Sequence, residues 1–329
     1  MLIILQYIGL GLLFSVALIY CKYRLRALRN EAKATALGCK PIPSISHELL
    51  FGLDTTWRRF KATKENRLLP YFQNICTEIG ALITYKYQWL DKSVIFTAEP
   101  ANLRALVATS FKDFELPFER NEALRPLFGE AIFIQNGEAW RHSRSLLRPY
   151  FSREHLSTLE AAEQQMKPLL QKLPCSAGSW TEVTDLYPIF ADFTMNNTSE
   201  FLFGRPIISP SPSLNPTNEV EIERAESFVD ATDFMSDYAG LRLYAGSAYW
   251  IFNSTLFRRQ CGTIYDYIDK QIAISLSSKS TNGDKFTLAN ALAQDVQDPQ
   301  ALRPFILTML FAARDTTGKL SVLQLYKSI

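Results

Sequence analysis

Residues Leu2 to Tyr20 are almost wholly apolar, interrupted only at Gln6 and Ser15. A helix of that length rises about 28 Å, close to the hydrocarbon thickness of a bilayer. No positive charge precedes it, whereas Lys22, Arg24, Arg26, Arg29 and Lys33 follow closely. A cleaved signal peptide carries its positive charge in front and ends in small residues, and neither feature is present. Basic residues on the carboxyl-terminal flank place the following chain in the cytosol. A buried helix apolar on all faces would need complete covering, which a terminal segment rarely finds. The expectation is a transmembrane anchor over residues 1–21. A basic linker and proline hinge over 22–45 follow, where Gly38 breaks a helical stretch and Pro41 and Pro43 impose extended backbone.

The remainder is large enough for a sizeable core. Its 47% hydrophobic and 21% charged residues are ordinary for a globular protein. A net charge of +2 gives no electrostatic argument for nucleic acid as a partner. Cys21, Cys39, Cys76, Cys175 and Cys261 are odd in number, widely spaced and form no C-x-x-C pair. That pattern argues against zinc ribbons and disulfide frameworks and fits a reducing compartment. Asn196, Asn197 and Asn253 begin N-x-[ST] sequons, which a cytosolic location makes chance matches. His47, His142 and His155 read as surface or capping groups, so no metal site is expected.

Two β-branched and aromatic runs, Ala81–Tyr87 and Ser93–Thr97, flank a short polar turn at Leu90-Asp91-Lys92 and predict a hairpin. Glu99-Pro100 then opens a helix to about Thr109. Downstream the spacing predicts helices over 137–150, 153–172, 184–203, 219–240, 247–278 and 298–325, with a Pro/Ser/Asn loop over 205–218. The coarse reading is mainly α with a small β portion near the amino terminus.

Two segments carry chemistry. In Phe128–Phe151, Asn136-Gly137 turns the chain into a helix on which Trp140 and Arg144, four apart, share a face. An indole N–H and a guanidinium pointing the same way can both donate to a carboxylate. Alone, such a pair on a cationic helix is most often a solvated face. In Phe305–Thr317 an apolar helix, opened by the Asp298-Pro299 cap, runs into an abrupt acid–hydroxyl pair, Asp315-Thr316. Alone, that pair could be a helix end.

The full runs resemble two segments of cytochromes P450: the helix that clamps a haem propionate, and the long helix across the distal haem face with its [AG]-G-x-[DE]-T-[TS] motif. Phe111–Phe114, Arg148–Phe151, the Gly38–Pro41 hinge, Phe51–Leu53, the anchor and the hairpin are similar to fungal members that hydroxylate n-alkanes and fatty acids. The resemblance implies a partial P450 fold, mainly α, with a small amino-terminal hairpin and a transmembrane helix, its incomplete domain covering 46–317. It implies haem bound through Trp140 and Arg144, a distal wall at Ala312 and Ala313, and Asp315 and Thr316 in proton delivery during dioxygen activation. Ala313 replaces the motif's Gly and narrows the space there, and Pro304 interrupts a helical hydrogen bond. The implied activity is a monooxygenase acting on an apolar, lipid-like substrate. Its electrons would come from NADPH-cytochrome P450 reductase, and its site would be the endoplasmic reticulum membrane with the domain facing the cytosol.

P450 chemistry uses a cysteine thiolate on iron, which the family places after the distal helix, as it does the E-x-x-R motif. All five cysteines precede Asp315, and Glu122–Arg125 and Glu221–Arg224 spell E-x-x-R too early. The expectation is therefore a chain truncated after the distal helix and inactive as it stands, with residues 318–329 an atypical tail. Gly318-Lys319 can be encoded across a splice donor, and the gene sequence beyond codon 317 tests that origin. The alternative is a non-catalytic, membrane-tethered helical fragment, either a pseudogene product or a partner-binding decoy.

Overall fold

The computed structural model describes residues 2–45, 52–80, 84–89, 92–151, 160–173, 183–207, 219–278 and 286–328. His47, Phe51, His155, Cys175, most of the 205–218 loop, residues 81–83 and the turn residues Leu90 and Asp91 lie outside them. Contacts divide the chain into two compact units, Met1–Phe114 with Tyr244–Ala248 and Glu115–Leu243 with Tyr249–Ile329.

In the first unit the apolar run and the basic stretch form one helix, α1 (Leu2–Ala36). Gly38 ends it at φ 73°, a conformation glycine adopts without strain. Tyr7, Leu10, Phe14, Leu18 and Ile19 are all exposed on it. Among the described residues, no helix is long and apolar enough to cross a membrane. The proline segment is extended as its residues require. Lys86 N donates to Pro43 O at 2.7 Å and Ile45 N to Lys86 O at 3.1 Å, pairing this stretch with the hairpin edge.

Helices α2 (Leu53–Lys64) and α3 (Leu68–Glu78) precede the antiparallel strands β1 (Thr84–Trp89) and β2 (Lys92–Thr97). Lys92, expected in the turn, instead pairs with Trp89 as the last rung of the ladder. Alternation puts Tyr85 and Tyr87 on one face, where they pack with Ile75. Tyr85 also stacks on Phe96 at 5.0 Å. Gly52 is irreplaceable on geometric grounds, since its φ is 63° and a Cβ there would overlap the Gln88 carbonyl. Helix α4 (Pro100–Arg104) continues into a π turn, Ala105–Thr109.

The second unit is helical: α5 (Phe118–Phe128), α6 (Gly137–Leu147), α7 (Glu160–Lys172), α8 (Leu186–Phe203), α9 (Glu219–Tyr244), α10 (Thr255–Ser278), α11 (Leu288–Leu292) and α12 (Pro299–Ser328). Two expected helices are shorter. The helix expected over 137–150 gives way at Arg148–Phe151 to a 3₁₀ turn, because Pro149 has no N–H for the α ladder. The helix expected over 247–278 is a 3₁₀ turn, Gly246–Phe252, followed by a fresh start at Thr255. Ser254 makes the break by accepting the Phe257 amide at 3.1 Å as a helix cap. Conversely, α12 runs unbroken through Gly318. The core is a cluster in which Met195, Phe228, Met235, Ile264, Ile268, Ile306, Leu307 and Leu310 are fully buried, with α8 against α12 as its main seam.

Candidate functional site

Helix α6 is positioned from its start. Asn136 accepts the Leu116 amide at 2.9 Å and donates from Nδ2 to the Leu116 carbonyl at 3.0 Å, so one side chain fixes the entry to the helix. Ser143, buried, donates to Gln135 Oε1 at 2.6 Å, and Leu147 enters the core. With that face turned inward, Trp140 is half-buried and Arg144 exposed, the guanidinium 5.3 Å from the indole centroid. The shared face expected from the four-residue spacing is therefore present, and cation–π contact holds the two side chains together. Arg141 pairs instead with Glu138 one turn back.

Helix α12 carries the other residues. Ala312 and Ala313 are half-buried, and Thr316 is exposed with its hydroxyl donating to Ala312 O at 2.6 Å. Asp315 is half-buried and faces α8, where the Tyr187 hydroxyl donates to its Oδ1 at 3.1 Å. Arg314, with a side chain only 4% exposed, forms an ion pair with Asp233 Oδ1 on α9 at 2.5 Å and lies 3.6 Å from Asp315 Oδ1. Behind them Thr194 donates to the Arg314 carbonyl at 2.9 Å, and Gly318 packs against Ala191, bringing the two backbones close. Burial, and then the Asp315 charge, push the Tyr187 phenol up to about 12. The Lys319 ammonium lies 5.5 Å from its ring centroid. The Ile132–Ile134 turn packs against both α6 and α12.

The acid and hydroxyl of the motif, adjacent in sequence, thus belong to different hydrogen-bond systems. Tyr187, Asp233 and Arg314 were not expected. Arg314 did carry a signal: a lone cation after a long apolar run needs a buried partner. Tyr187 and Asp233 lie more than eighty residues upstream and had none. Away from these helix faces, Phe228 and Met235 are core residues, Phe228 stacking on Tyr267 at 4.4 Å. Tyr238 stacks with Phe234 at 5.0 Å and Phe257 at 5.3 Å. Phe118 is exposed. Two of the three sequon asparagines face inward: Asn196 is buried, and Asn253 Oδ1 accepts from Arg242 at 2.6 Å.

The family model for cytochrome P450 matches residues 56–326. The chain is 31% identical over 302 residues to "Cytochrome P450 monooxygenase g430" of Fusarium sp, covering 88% of this chain and 53% of that protein. It is 31% identical over 291 residues to "Cytochrome P450 52A13" of Debaryomyces hansenii, covering 86% and 55%. It is 26% identical over 320 residues to "Cytochrome P450 52A9" of Candida maltosa, covering 94% and 60%. The chain spans a little over half the length of these relatives.

Proposed function

The chain belongs to the cytochrome P450 family, and on that premise we propose that it forms part of a haem monooxygenase hydroxylating an apolar, lipid-like substrate such as an n-alkane or a fatty acid. The observation that carries this reading is the Trp140–Arg144 pair, an indole and a guanidinium in contact on one helix face, with Arg144 exposed. Their donors fit a haem propionate, which takes charge-assisted hydrogen bonds. Small side chains at Ala312 and Ala313 fit a flat ring wall, and Thr316 lies on the same side of α12 as Ala312. The propionate contacts and the wall are thus assigned to this chain, whereas the axial thiolate is assigned to none of its cysteines. When bound, haem supplies the iron at which dioxygen is reduced and its O–O bond broken.

Overall, RH and O₂ take up two electrons and two protons to give ROH and water. NADPH-cytochrome P450 reductase is the proposed electron donor. Asp315 holds or releases protons at its carboxylate, and Thr316 offers a hydroxyl one residue away. Helix α1, with Tyr7, Leu10, Phe14, Leu18 and Ile19 exposed and basic residues after them, is the proposed attachment to the endoplasmic reticulum membrane. The test is to purify the complete enzyme with reductase, supply NADPH, ¹⁸O₂ and alkanes or fatty acids, and follow the label. The reading expects one labelled oxygen in a hydroxylated product and bound haem in the enzyme. Haem-free protein, or product without label, would sink it.

A further inference from the structure

A helix turns each residue about 100° from the last, and here that rotation separates Asp315 from Thr316. Thr316 donates within its own helix, while Asp315 is gripped from α8 by Tyr187. Arg314 reaches past it to Asp233, which is 55% exposed, and its Nε and Nη1 are buried without hydrogen-bond partners. Nearby negative charge stabilises a desolvated guanidinium, and the Asp315 carboxylate, 3.6 Å away, is beyond hydrogen-bond range but within attraction. Both contacts to Asp315 use Oδ1, which leaves Oδ2 as the oxygen able to exchange a proton.

We infer that Tyr187 and Arg314 are positioning residues for Asp315, fixing its carboxylate on the α8 side of α12, with Asp233 as the counter-ion that keeps Arg314 seated. This deepens, and rests on, the role proposed above for Asp315 as a proton-handling acid. The groups facing the carboxylate are the Tyr187 phenol from α8 and the Arg314 guanidinium from α12. Asp233 on α9 and Lys319 on α12 lie just beyond. Tyr187 acts only through Asp315, so its loss should alter the reaction step and leave substrate binding alone.

Two measurements decide it. In the full chain, 3-fluorotyrosine placed at position 187 reports by ¹⁹F NMR on its partner. Asp315→Asn is expected to move the resonance and lower the fluorophenol midpoint by about one pH unit. A signal indifferent to Asp315→Asn overturns the pairing. In the complete enzyme, Tyr187→Phe is expected to lower kcat on the order of tenfold, with KM and haem content unchanged, and Asp315→Asn to lower it by about a hundredfold. An impaired Asp315→Asn beside an unimpaired Tyr187→Phe overturns the positioning role. Asp315→Asn at wild-type rate removes the acid role beneath it, and the resonance then still decides the pairing. A Tyr187→Phe enzyme losing kcat, KM and haem together points to packing alone and overturns the proposal. Arg314→Lys, which keeps a cation, should restore part of the kcat lost in Arg314→Gln. Equal losses in the two overturn the role given to the Arg314 charge.

Discussion

Arg242 and Arg314 are both buried, and they are held in opposite ways. Arg242, 1% exposed, donates from Nε to Ala123 O at 2.6 Å and from Nη1 to Phe252 O at 2.9 Å and Asn253 Oδ1 at 2.6 Å. Its guanidinium lies 4.4 Å from the Phe257 ring centroid. These partners are neutral, and burial pushes its pKa below the usual arginine range. Arg314 is held by Asp233, with Asp315 close by. Neutral carbonyls in fixed places make a strap, which ties Ala123 on α5 and residues 252–253 to Arg242 on α9. Carboxylates make a charge balance that changes whenever one of them gains a proton. The first arrangement serves stability, the second suits the proton-handling role proposed for Asp315.

The largest effect is expected at Arg242. Arg242→Met removes one donor group from two backbone carbonyls and an amide oxygen, and each buried acceptor left bare costs about 1–3 kcal/mol. We expect a loss of about 3 kcal/mol or more in urea unfolding of the full chain, with no cycle coupling to Asp315→Asn. A loss under about 1 kcal/mol would show that water replaces the strap. Arg314→Met should cost less, about 2 kcal/mol, because Asp233 is half-exposed and rehydrates once released. In contrast to Arg242, it should couple to Asp315→Asn in a double-mutant cycle. Additive effects would erase the distinction between the two arginines.

A third arginine sharpens the contrast from outside the core. Arg144 is exposed above Trp140, so Arg144→Ala should change unfolding by less than about 0.5 kcal/mol. On the proposed propionate role it removes a charge-assisted donor, and haem affinity should fall about tenfold. Gel filtration of holoenzyme, with haem absorbance read against protein, measures this. Unchanged haem retention would remove Arg144 from the binding role.

Legibility in the sequence followed the range of the interactions. Trp140 and Arg144 were readable because their contact is set by four-residue helical spacing, and the hairpin because alternation is local. The extended proline segment followed from the ring that locks φ. The false continuation of a helix through 253–254 arose because apolar spacing outweighed a Ser cap, a one-residue signal inside a long periodic stretch. Tyr187 and Asp233 could not be read at all. Their contacts with Asp315 and Arg314 exist only because α8 packs against α12 and α9 brings Asp233 within reach of Arg314, and a tyrosine or aspartate on a helix surface carries no mark of its distant partner. Arg314 lies between these cases: its burial was legible as a problem, its solution was not.

The smallest expected effect concerns alkaline pH and separates the two causes acting on Tyr187. Tyr187, Tyr265 and Tyr267 are each pushed up to about 12, with burial the leading cause in all three. In the unfolded chain these phenols ionise near 10. A pKa raised by folding contributes stability that is complete below pH 10. That stability is lost as pH climbs towards 12, because the unfolded chain releases protons the folded one still holds. Each such group steepens the fall by one proton, about 1.4 kcal/mol per pH unit. Tyr187→Phe should therefore remove one proton from the slope of unfolding free energy against pH between 10 and 12. Asp315→Asn should remove less than one, since it takes away the charge and leaves the burial. Tyr265, whose hydroxyl donates to the Pro126 carbonyl at 2.9 Å, should keep its contribution in both variants. Equal slopes for Tyr187→Phe and Asp315→Asn would mean that the carboxylate, rather than the apolar surroundings, keeps the phenol protonated. The Tyr187–Asp315 contact would then be chiefly electrostatic.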